Sequence, residues 1–151
     1  MPDLGRIFPY KLLAKYPHLT PHDTGVWSLF IDHNPHAFTT VYYDVRVGSG
    51  AAPPDTQPDD WTADYQSLTQ KRIDAVAIGA TGLYIIELKP RAGAIALGQV
   101  RVYEDLFHES FPQITDTHPT LICYNTDPDI ARLAKSLGVL ILHAEERDLV
   151  L

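Results

Sequence analysis

The most regular patterning in the chain lies in two β-branched apolar runs, residues 72–78 and 83–89, split by Gly79-Ala80-Thr81-Gly82. A glycine-bounded turn between two such runs predicts a β-hairpin. Folding it about Ala80 and Thr81 pairs Gly79 with Gly82 and Ile78 with Leu83, and the same ladder sets Asp74 opposite Glu87. Residues in that relation lie roughly 4.5–5.5 Å apart, and like charges there destabilise a sheet unless something positive sits between them. Lys89 follows Glu87 by two residues and shares its face, while Leu88 points to the other.

Elsewhere the pattern predicts further elements. Residues 4–16 suggest a short helix interrupted near Pro9, and Asp23-Thr24 a cap for a short helix over residues 26–30, where VWSLFI also suits a strand. Residues 38–47 form a β-rich run in which Val41, Tyr43, Val45 and Val47 share one face and Tyr42, Asp44 and Arg46 the other. Residues 48–60 are loop-forming, with an acidic set of Asp55, Asp59, Asp60 and Asp64 that suits a solvated face, and residues 61–70 form a short polar or helical piece. Pro90 ends the second hairpin strand, and a helix runs from about 94 to 109, with Ile95, Gln99, Val102 and Leu106 as its sheet-facing stripe. A strand over 119–124, a helix entered at Asp127-Pro128 and stopped at Gly138, and a strand over 139–143 complete the chain. The order α-β-β-β-α-β-α-β predicts one α/β domain over residues 1–151, a mixed central sheet flanked by helices, with an N-terminal extension of about 1–37.

The hairpin carries the chemistry. Two facing carboxylates with an ammonium alongside are most simply explained by a divalent cation between Asp74 and Glu87. Gln99 is polar on a face that should meet the sheet: either a buried amide bonded to backbone, or a side chain ordering the site. Tyr103, one turn on, suits core packing, support of the site or a phosphate contact. The four N-terminal histidines (His18, His22, His33, His36) lack metal-ligand spacing and suit loops and strand ends. No G-x-S-x-G, phosphate-loop or dinucleotide motif occurs.

Asp74 followed by Glu87-Leu88-Lys89, then Gln99 and Tyr103 in AIALGQVRVYEDLF, resembles the PD-(D/E)XK nuclease superfamily over residues 72–107. Ile73 stands where that pattern has proline. The resemblance implies a restriction-endonuclease-like core and Mg²⁺ or Mn²⁺ held by Asp74, Glu87 and the Leu88 carbonyl. It implies a Lys89 that positions or activates water, and Gln99 as a site residue. Lys71, Arg72, Arg91, Arg101 and Tyr103 become candidate phosphate contacts. Some members add an acid from an N-terminal helix, which the sequence does not single out here. The N-terminal run LLAKYPHLTPHDTGVWSLFI and the strand YYDVRVGSG also look like small phage- and prophage-encoded proteins. The alternative function is therefore a head–tail (neck) assembly protein on a nuclease-like scaffold, catalytically silent or active, with phage structural proteins as partners and oligomerisation compatible.

Composition changes this picture in two ways. The single cysteine, Cys123, excludes an internal disulfide and, flanked by apolar residues, suits strand packing. No apolar run reaches membrane-spanning length and MPDLGRIF is not a signal peptide, so the expected location is the cytoplasm, or a host cytoplasm or virion if phage-encoded. The net charge of −7 disfavours nonspecific nucleic-acid binding, yet residues 71–101 hold five cations against two acids. The basic surface is concentrated where the proposed DNA site lies.

Overall fold

The computed structural model describes residues 3–51 and 69–151. Among these residues six strands form one mixed sheet in chain order: β1 (Ile7–Pro9), β2 (Thr40–Val47), β3 (Lys71–Gly79), β4 (Gly82–Ala92), β5 (Thr117–Thr126) and β6 (Leu140–His143). Strands β1 to β4 pair antiparallel, and β4, β5 and β6 pair parallel. Among the described residues three helices cover the sheet: α1 (Pro21–His33) on one face, α2 (Ala94–Ser110) and α3 (Pro128–Ser136) on the other. The α/β class and the helix-flanked mixed sheet are as the sequence predicts.

Each face has its own core. Trp27, Phe30 and Ile31 of α1 pack on Val41, Tyr43, Ala75, Ala77, Tyr84, Ile86 and Leu88. On the opposite face Phe107 and Phe111 meet Val45, Val47, Ile73, Val76 and Ile85, while Ala96, Leu97 and Val100 meet Leu121 and Cys123. Cys123 is fully buried, and burial pushes its thiol up to about 11. Gly82 closes the hairpin at φ +137°, and a Cβ there would stand 2.6 Å from the Asp116 carbonyl oxygen, so the turn requires glycine.

Several expectations are corrected. Residues 4–16 hold no helix; their ordered element is β1, because Ile7 to Pro9 pair with Thr40 to Tyr42 at the sheet edge, where a proline costs no ladder bond. The helix after it is capped by Thr20, whose hydroxyl accepts from the Asp23 amide, and not by Asp23-Thr24. The single apolar face assigned to β2 is in fact two: Val41 and Tyr43 face α1, whereas Val45 and Val47 face α2. The inversion occurs at Asp44, which holds φ +53° in mid-strand and rotates the chain there. Strand β4 also runs through Pro90 to Ala92. It pairs β3 only up to Ile86, so the missing amide of Pro90 leaves no bond unmade on that side. The buried stripe of α2 is Ala96, Leu97, Val100, Glu104 and Phe107; Ile95 is 80% and Val102 51% exposed. An apolar pattern read at helical spacing found the helix and missed its rotation by about a quarter turn. The acidic set in residues 55–64 and the piece over 61–68 lie outside the described residues.

Candidate functional site

The hairpin register runs from Gly79–Gly82 to Ala75–Ile86 and stops there. The next residues are Asp74 and Glu87, and in place of a backbone bond the Leu88 amide donates to Asp74 Oδ2 at 2.9 Å. On the other side of β3 the ladder is interrupted at the same level: Tyr43 pairs Ala75 and Val45 pairs Ile73, with Asp44 and Asp74 unpaired between them. The sheet therefore opens around Asp74 on both sides. On the β4 side the Asp74 carboxylate takes the place of a ladder bond.

Glu87 is 5% exposed. Its Oε1 lies 3.8 Å from Lys89 Nζ, and its Oε2 is buried with no hydrogen-bond partner among the described residues. Leu88, between them, is buried in the α1-side core, so strand alternation sets Glu87 and Lys89 together on the α2 side. The two acids perturb each other. Burial pushes the Glu87 carboxyl up to about 9, with Asp74 adding to the rise and Lys89 opposing it. Burial likewise pushes Asp74 up to about 6, against the stabilising Leu88 amide. When one of the two is protonated they hydrogen-bond each other, and burial together with their mutual repulsion favours that protonated form.

A third acid acts on both. Asp23, in the first turn of α1, raises Asp74 and Glu87 alike. Sequence spacing gave no hint of it, since it lies about fifty residues from the hairpin and is brought near by α1 packing on β4. Its one legible signal was its place three residues after Thr20 at a helix start.

From α2, Tyr103 feels the pair: burial raises its hydroxyl pKa, and Glu87 and Asp74 raise it further. Gln99 lies one turn earlier on the same helix face, half-buried, its Oε1 buried with no partner. The other candidate phosphate contacts are dispersed. Lys71 is exposed at the start of β3. Arg72 pairs with Asp44 (Nε to Oδ1, 3.7 Å), and Arg91 donates to Asn125 Oδ1 at 3.1 Å. Arg101 is not free for phosphate: it is bound at 2.6 Å by the buried Glu104, which also accepts from Thr117, and lies 3.8 Å from Asp105. The helix rotation that hides Glu104 makes Arg101 its structural partner.

Among the described residues no three His, Cys, Asp or Glu side chains are gathered as a metal cluster. What the site offers a cation is two neighbouring carboxylates, one of them with an orphaned buried oxygen. Mg²⁺ is commonly held by one or two carboxylates, with water and phosphate completing its shell. Among the described residues no helix is long and apolar enough to cross a membrane. Comparison with models of known families, with curated proteins and with solved structures found no match.

Proposed function

We propose that the protein is a Mg²⁺- or Mn²⁺-dependent nuclease that hydrolyses phosphodiester bonds of DNA, with the cation held by Asp74, Glu87 and the Leu88 carbonyl. The observation that carries this is Glu87 Oε2, buried without a donor beside a second carboxyl. A buried like-charged pair is costly, and only a shared proton or a cation makes it tolerable. A protein with no use for a cation would be more stable with one acid replaced by an amide.

When bound, the cation would polarise the phosphoryl oxygen and make its water a better nucleophile. The chain's own groups do the rest. The Leu88 amide fixes the Asp74 carboxylate and leaves Oδ1 for ligation. Lys89 presents donors beside Glu87, where they orient a water and offset charge building on the phosphate. Tyr103 borders the pair from α2, and Gln99, one turn earlier on the same helix, carries a buried carbonyl that would accept from a water or a cationic donor. Asp23 adds negative potential that draws the cation in.

The test is cleavage of a supercoiled plasmid and a linear duplex by purified protein with Mg²⁺, with Mn²⁺ and with chelator. Nicking or degradation that needs the cation and is lost in Asp74→Asn and Lys89→Ala supports the proposal. Intact DNA with both cations, from folded wild-type protein, overturns it.

A further inference from the structure

Asp44 is held at φ +53° in the middle of β2, a conformation that aspartate tolerates but that few strand residues adopt. Its side chain is 12% exposed, and each oxygen holds one basic group: Oδ2 lies 3.3 Å from His18 Nε2 and Oδ1 3.7 Å from Arg72 Nε. His18 is also in the left-handed region, at φ +59°, so two of the three non-glycine residues there, among the described residues, touch each other. The His18 side chain is 59% exposed and that of Arg72 36%, so both reach outward from a sunken carboxylate. Among the described residues no partner faces His18 Nδ1 or the terminal nitrogens of Arg72, which point to a ligand when the imidazole is protonated. The bracket lies level with the acid pair along the sheet, because Asp44 and Asp74 occupy the same unpaired step between Tyr43–Ala75 and Val45–Ile73.

A surface ion pair needs no strained backbone, and an exposed one contributes little stability. Two strained residues joined through a buried carboxylate suit a task that fixes directions: holding two outward donors at a set spacing for an anion. Guanidinium and imidazole donors side by side match the oxygens of a phosphate. We infer that His18 and Arg72, held by Asp44, form an anion-binding bracket that seats a backbone phosphate of a polynucleotide beside the Asp74 and Glu87 pair. The bracket rests on the nuclease proposal for its ligand class, and it places the bound strand on the β2 side of the acids.

Binding of a fluorescein-labelled 20-base-pair DNA duplex, read by anisotropy in chelator so that no turnover occurs, tests this in the full chain. His18→Ala and Arg72→Ala should each weaken binding several-fold and lower the slope of log affinity against log salt by about 1 for a lost phosphate contact. Asp44→Gly separates a functional from a structural bracket: glycine accepts the backbone conformation, so the melting temperature should hold or rise while DNA binding falls. Failure of wild-type protein to bind, or Asp44→Gly with lowered stability and unchanged binding, overturns the bracket. Cation-dependent cleavage with His18 and Arg72 variants binding like wild type overturns the bracket and leaves the nuclease proposal standing. Weakened binding in those variants without any cleavage by wild type leaves the bracket and removes the nuclease.

Discussion

The Leu88 amide donates to Asp74 Oδ2 at the point where the backbone ladder between β3 and β4 ends. A side-chain acceptor thus replaces a main-chain one, which fixes the carboxylate and turns it toward Glu87. Asp74→Asn keeps an oxygen for this bond and adds a donor for Glu87, so metal-free stability should change by about 1 kcal/mol or less, or rise. Wild-type protein should gain about 2.7 kcal/mol at a cation concentration of about 100 times Kd, or about 5–11 °C in melting temperature. Thermal melts of both proteins across Mg²⁺ and Mn²⁺ titrations check this; a shift that survives Asp74→Asn contradicts it.

The pH dependence has an unusual sign for carboxylates. Both acids are raised on folding, to about 6 and about 9, so the folded chain keeps protons that the unfolded chain gives up near ordinary carboxylate values. Their protonation therefore stabilises the fold fully below the unfolded pKa, and that contribution is lost as pH rises through the folded values. Metal-free stability should fall from the ordinary carboxylate range, at about pH 4, up to about pH 9, by up to about 1.4 kcal/mol per pH unit for each proton of difference. Denaturant melts in chelator over this range measure it, and Glu87→Gln should flatten the slope.

How much of this was legible in the chain divides along a physical line. The hairpin, its register, and Lys89 beside Glu87 follow from period-two alternation and a glycine turn, which are local. The face inversion at Asp44, the rotation of α2 and the arrival of Asp23 depend on what each segment packs against. Glu104 shows the difference best: the stripe of Ile95, Gln99, Val102 and Leu106 leaves it out, yet it is buried, with Arg101 and Thr117 satisfying it.

Glu104→Ala should accordingly destabilise the protein by about 1–3 kcal/mol, since it leaves Arg101 and Thr117 without their acceptor. Chemical denaturation reads the loss. Cleavage under conditions where the variant stays folded should be retained, and a selective loss of cleavage would make Glu104 part of the site.

Lys89→Ala should leave the melting temperature close to wild type, because its ammonium is partly exposed, and should abolish cleavage. Undiminished turnover in this variant removes Lys89 from the chemistry.

The most direct test of the central claim is calorimetric titration of Mn²⁺ into wild-type protein near pH 7.5, in two buffers of different ionisation enthalpy. A cation that displaces the proton held by Asp74 and Glu87 should bind once per chain and release close to one proton, seen as a buffer-dependent heat. Asp74→Asn should show neither. Absence of binding to wild type, or equal binding and equal proton release in Asp74→Asn, would contradict a cation site between these two carboxylates.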